Sequence, residues 1–227
     1  MKDLTVNRFR IGRGKILQSQ INKLAARLGR PIDVLDLGGR PDYWANVGFD
    51  NIAQIRLLNN DESELDREAP EGIFVKEIGD ARYLKHYADQ SIDLVHSNSL
   101  IEHVGGWPDM CSVADEAMRV GLSGWMQTPA WEFPIEPHFR LPFLHWFAQP
   151  MRRKMLSLSR DYGSLGVKDR RRHVDRINLL SIGEVRALFP GCDVYVERII
   201  LPKSYTARWG PDGVAPPLSG EARSPRQ

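Results

Sequence analysis

Apolar residues along this chain follow two rhythms. Short, nearly unbroken runs read as buried strands: residues 32–37, 52–58, 73–78, 91–99, 122–127 and 192–200. Between several of them apolar positions recur at helical spacing. Ile16, Leu17, Ile21, Leu24, Ala25 and Leu28 form one such stripe, stopped by Gly29 and Pro31. Met110, Val113, Ala114, Ala117 and Met118 form another, opened by Pro108. Ser181, with Glu184 three residues on, is a capping box for a helix over 181–189 that Pro190-Gly191 ends. Strands alternating with helices in this way predict an α/β fold, a doubly wound, mostly parallel sheet with helices on both faces. A short helix is expected after Pro41 and another after Asp80. Residues 204–209 are expected to return antiparallel as an edge strand.

The rhythm breaks at three places. Residues 1–15 are polar and basic with two glycines, and read as a loosely held arm before the first helix. That helix is expected to pack on the sheet or to lid a pocket. From Thr128 to about Leu165 the chain is rich in Pro, His and aromatics, too aromatic for disorder, and starts at a strand's carboxyl end. Residues 211–227 have little apolar content and are expected to be a disordered tail. The organisation that follows is an N-terminal basic arm and helix (1–30), an α/β core (31–128), an aromatic and basic insertion acting as substrate lid (129–176), the last helix and strands of the same domain (177–210), and the tail (211–227).

Composition narrows the class. At 227 residues, 42% hydrophobic and 26% charged, the chain suits one soluble globular domain. No apolar run approaches the roughly 20 residues of a membrane span, and residues 1–8 lack a signal peptide's apolar core. Cys111 and Cys192 carry no metal-ligand spacing and read as reduced thiols, which gives a cytoplasmic expectation. The net charge of +2 hides an asymmetry: residues 1–30 carry +7, 31–150 carry −12 and 151–176 carry +6. The basic flanks either face an anionic partner or are solvated helix surfaces.

Candidate chemistry gathers at strand ends. Asp36-Leu37-Gly38-Gly39 closes the first strand, where glycines let the backbone bend sharply and approach a ligand. It is a cofactor loop or an ordinary strand-to-helix turn. Asn59-Asn60-Asp61 stands about 20 residues on, where a dinucleotide-type fold places a ribose-binding group; a polar turn is the plainer reading. Asp80, just past the third strand, is able to accept from an exocyclic amine while a following backbone NH donates to a ring nitrogen; an N-cap is the plainer reading. Four of the six histidines lie near these ends or in the insertion: His96, His103, His138 and His145. His138, in Glu136-Pro137-His138, is the first candidate base and His103 the second. Trp131, Phe139, His145 and Trp146, with His138, are candidates for a substrate wall, although aromatics there also serve as the insertion's own core.

Four pieces taken together resemble the class I S-adenosylmethionine-dependent methyltransferases, most closely the small-molecule enzymes of the type 11 kind. They are Val34-Leu35-Asp36-Leu37-Gly38-Gly39, Gly79-Asp80-Ala81, Ile92 to Asn98, and Glu102-His103-Val104. The similarity spans about residues 30–130. It implies a Rossmann-like class I methyltransferase fold with a seven-stranded sheet, S-adenosyl-L-methionine as cofactor, and methyl transfer to an O, N or C atom of a small molecule. It further implies that Asp36, Gly38 and Gly39 surround the methionine part, that Asn59 or Asn60 reaches the ribose, that Asp80 with Ala81 holds the adenine, and that Ser97 and Asn98 lie beside the sulfonium. Arg40 departs from the family, which usually has glycine there; its side chain points away or reaches for the cofactor carboxylate. Asparagine in place of the ribose acid is the second departure. The alternatives are a non-catalytic methyltransferase-like binding or scaffold protein and an NAD-type oxidoreductase. Nucleic acid is the least favoured partner, because Ser97-Asn98-Ser99-Leu100 stands where some base methylases carry an Asn/Asp-Pro-Pro-aromatic signature. A monomer or a homodimer fits equally.

Overall fold

The computed structural model describes residues 4–69, 72–135, 141–159 and 162–210, without the side chains of 4–8 and 65. Seven strands form one sheet in the order β3-β2-β1-β4-β5-β7-β6. The strands are β1 (Ile32–Leu37), β2 (Ile52–Asn59), β3 (Phe74–Ile78), β4 (Ile92–Asn98), β5 (Gly121–Pro129), β6 (Asp193–Arg198) and β7 (Pro202–Trp209). The first five run parallel, and β7 runs antiparallel to both β5 and β6. The antiparallel direction expected for 204–209 is therefore present, but the edge position is not. β7 lies inside the sheet and β6 forms the edge. Its buried face explains the position: Ser204, Tyr205, Thr206 and Ala207 are all buried in succession, as an interior strand requires.

Helices cover both faces. On one, α1 (Leu4–Leu28) sets Leu17, Ile21 and Leu24 against Val34, Ile55, Leu94 and Trp125. Each such fully buried side chain contributes about 2 kcal/mol of transfer free energy. Gln20 fixes the helix laterally, its buried amide donating to Ser123 Oγ at 2.8 Å and to the Gly124 carbonyl at 3.2 Å. The helix begins at Leu4, so residues 4–15 are not the loose arm that their glycines predict. Gly14 is a contact point, since a Cβ there would come within 2.8 Å of the Asn46 carbonyl oxygen. On the other face, α3 (Trp107–Val120) and α6 (Ile182–Leu188) bury Met110, Val113, Ala117, Val185 and Leu188 against Leu35, Val95 and Met126. The Ser181–Glu184 capping box is present as expected.

The short helix expected after Pro41 is present as a single turn, α2 (Pro41–Trp44). The few residues after Asp80, expected to be helical, form turns. Arg82 binds Asp80 and Asp109 there, so side-chain ion pairs fix this connection instead of a helical ladder. The insertion carries α4 (Gln149–Met155) and α5 (Val167–Asp175) over a small core of its own, Leu144, Leu156 and Val174. The expected tail, 211–227, lies outside the described residues.

Candidate functional site

Strand alternation decides which side chains meet at the carboxyl end of β1. Asp36 and His96 are register partners on β1 and β4 and point to the face that α1 covers. Asp36 is 1% exposed. It accepts a hydrogen bond from Trp44 Nε1 at 2.7 Å, and its other oxygen lies 2.6 Å from His96 Nδ1. The Tyr43 ring packs against His96 in a tilted arrangement, 4.8 Å between ring centroids. A carboxylate, an imidazole and two aromatics thus lock α2 onto the sheet.

The glycine turn is built around that lock. Gly38 sits at φ +70°, a conformation glycine adopts freely. At Gly39 a Cβ would fall 2.1 Å from Asp36 Oδ2, so no side chain fits. The Gly38 N–H donates to the Leu58 carbonyl at 2.8 Å, and the Asn59 amide donates to the Gly39 carbonyl at 2.9 Å. β2 therefore clamps the turn from one side while Asp36 shapes it from within.

Over the turn opens a cavity of about 500 Å³. Asp36, Gly38, Gly39, Arg40, Asn59, Asn60, Asn98 and His103 all border it, so most of the residues expected around a cofactor share one space. Tyr43, His96 and Leu100 border it too, and sequence reasoning missed them in this role. Burial raises the Tyr43 hydroxyl well above the ordinary tyrosine range, so it stays a neutral donor. Arg40 is directed at Glu64, at 2.7 Å, across the cavity rim. Ser97 lies beneath the floor, its hydroxyl donating to the Leu37 carbonyl at 3.0 Å. Asp80 and Ala81 are not among the bordering residues. The Arg82 guanidinium, 2.7 Å away, occupies the Asp80 carboxylate and holds its pKa below the ordinary range.

A second cavity of about 190 Å³ joins the first at Arg10, Asn98 and Ser99. The end of β5, the start of β7 and the first turns of α1 enclose it, through Gln127, Lys203 and Arg13 among others. The Asn98 Oδ1 atom at this junction is buried with no hydrogen-bond partner among the described residues. Trp131 and His145 border a different space of about 280 Å³ beside the start of α3. There His145 Nε2 and Trp146 Nε1 lie 2.8 Å and 2.9 Å from the Trp131 carbonyl oxygen. His138 and Phe139 lie outside the described residues.

A bound S-adenosylmethionine would fit the larger cavity on three observations. It opens at the carboxyl ends of β1, β2 and β4, where parallel α/β sheets bind nucleotides; the turn has no room for side chains; and Asn98 Oδ1, an acceptor with no partner among the described residues, borders both spaces. Among the described residues, no three His, Cys, Asp or Glu side chains gather in metal-holding geometry. No described helix is long and apolar enough to cross a membrane.

No family model matches this chain, and no curated protein does. Solved structures do. A candidate exported protein from Bordetella parapertussis superposes with a TM-score of 0.56 at 15% identity, covering 90% of this chain and 68% of that one. A candidate Zn-dependent alcohol dehydrogenase from Rhodobacter sphaeroides gives 0.54 at 11% identity, covering 80% and 84%. A candidate O-methyltransferase from Nostoc punctiforme gives 0.50 at 11% identity, covering 87% and 56%. At these identities the likeness is one of fold. Together with a seven-stranded sheet whose β7 inserts antiparallel between β5 and β6, it gives the chain the Rossmann-like fold of the class I methyltransferases.

Proposed function

We propose that the protein transfers the methyl group of S-adenosyl-L-methionine to an O, N or C atom of a small molecule. The observation that carries this reading is the pair of joined cavities: a large one over a side-chain-free turn, and a small one meeting it at Asn98 and Ser99. When bound, the cofactor supplies a sulfonium-activated methyl group. The chain's own task is then positional. Gly38 and Gly39 let the backbone of the turn come close to the amino-acid end. Asn59 and Asn60 offer amide groups to the ribose hydroxyls, and Asn98 offers its buried oxygen beside the reacting centre. Arg10 of α1 stands at the border of the cavity. His103 on the rim and His138 in the insertion are the bases for an acceptor that must lose a proton.

Isothermal titration with S-adenosylmethionine, S-adenosylhomocysteine and NAD tests this. Both sulfur nucleosides are expected to bind and NAD is not. Binding of NAD alone would replace the reading with an oxidoreductase, and binding of none would make the protein a scaffold.

A further inference from the structure

The smaller cavity has a charge pattern that the methyl-transfer reading leaves unused. Three cations border it, Arg10, Arg13 and Lys203, and no carboxylate does among the described residues. Arg13 is spoken for. Its guanidinium lies 3.5 Å from Glu197 and 3.4 Å from Ser204 Oγ, well buried, and acts as part of the wall. The Lys203 ammonium is held over the Phe9 ring at 3.5 Å. Arg10 is exposed and makes no ion pair among the described residues. It stands one helical turn before Arg13, on the same face of α1. The remaining wall includes Phe133, Ile135 and Pro129, which are apolar.

These cations arrive from separately fixed elements. α1 is pinned by its buried leucines and Gln20. Lys203 opens β7, whose Ser204 is register partner to Pro129 at the end of β5. Two positive groups thus border a space whose wall joins apolar side chains to the polar Asn98, Ser99 and Gln127. Such an arrangement matches an anion on an apolar body: a guanidinium fork suits carboxylate or phosphate geometry, and an ammonium adds a point charge.

We infer that this cavity is the acceptor subsite and that the acceptor carries a carboxylate or phosphate group, bound by Arg10 and Lys203, beside an apolar body packed on Phe133 and Ile135. The inference rests on the methyl-transfer reading for the word acceptor. The anion site itself does not depend on it.

Titration calorimetry separates the two. Phenylacetate, phenyl phosphate and the neutral phenylacetamide are titrated into the full chain, free and saturated with S-adenosylhomocysteine. One of the two anions is expected to bind about tenfold more tightly than the amide, with the advantage shrinking as salt is raised. Which anion wins identifies the group. Arg10→Gln and Lys203→Gln are each expected to erase most of that advantage, while Arg10→Lys keeps it. Equal binding of anion and amide would overturn the proposal. So would unchanged anion binding in both glutamine variants. Failure of S-adenosylhomocysteine to bind, with anion binding to the free protein intact, would remove the cofactor reading and leave the anion site standing.

Discussion

Asp36 shows how one side chain serves both fold and site. Its two oxygens engage Trp44 and His96, and its Oδ2 occupies the space that a side chain at position 39 would need. Gly39→Ala is therefore expected to push on a buried, fully engaged carboxylate. Unpairing such a group costs about 1–3 kcal/mol, which thermal denaturation would record as a drop of several degrees, and S-adenosylhomocysteine affinity is expected to fall about tenfold. Cys192 offers a pH test. Burial, with a smaller contribution from Asp193, pushes its thiol up to about 11. The raised value favours the neutral thiol, so at pH 8 only about one thiol in a thousand is thiolate. Iodoacetamide labelling followed by mass spectrometry is expected to spare Cys192 at pH 8 and to rise steeply toward pH 11. The glycines and asparagines of the site were legible because they follow apolar runs directly. The Asp36–Trp44–His96 lock was not, because it depends on the register between β1 and β4 and on α2 folding back. Arg10 and Lys203 stand near opposite ends of the chain, and only the sheet order brings them to one cavity.

At the scale of elements, apolar runs located the strands, an apolar stripe located α3, and a capping box located α6. α1 was half legible. Its periodic half, from Ile16 to Leu28, packs on the sheet as its pattern demands. Before Ile16 the stripe is absent, and Arg10 and Arg13 there border a cavity in place of a core. Gly12 and Gly14 suggested a break, while Gly14 in fact permits close packing on Asn46. The buried half sets the stability: Ile21→Ala removes most of a fully buried side chain and is expected to cost about 2–5 kcal/mol, measured by urea denaturation. The turns after Asp80 were misjudged for a related reason. An N-cap aspartate announces a helix, but here Arg82 binds that carboxylate and Asp109 as well. The same guanidinium holds both carboxyls below their ordinary range. Depressed carboxyl values mean that this tie is complete at neutral pH and fades as acid protonates the pair.

For the whole molecule, the class I arrangement was legible from the order of motifs, and the position of β7 was not. A strand's sequence shows that it is buried, not which neighbours bury it. The two joined cavities span α1, β1, β2, β4, β5 and β7. A ligand filling the larger one acts on the folded state alone. Saturation with S-adenosylhomocysteine at about 100 times its Kd is therefore expected to stabilise the protein by about 2.7 kcal/mol, read as a raised melting temperature; an unmoved temperature at saturation would contradict binding there.

The insertion of β7 between β5 and β6 also bears on how the protein is made. β6 has no partner in the sheet but β7, and β5 has a neighbour on that side only through β7. On the ribosome, β1 to β5 emerge first and can pair in parallel, while β5 waits with a row of unpaired backbone groups. Such an edge is open to pairing with another nascent chain. It closes only when residues 202–209 leave the exit tunnel. At that moment Trp209 drops into the notch that Gly124 leaves open, where any Cβ would lie 2.1 Å from its ring. The sheet is thus sealed by its last strand, and until that strand pairs the edge of β5 stays open to a foreign one.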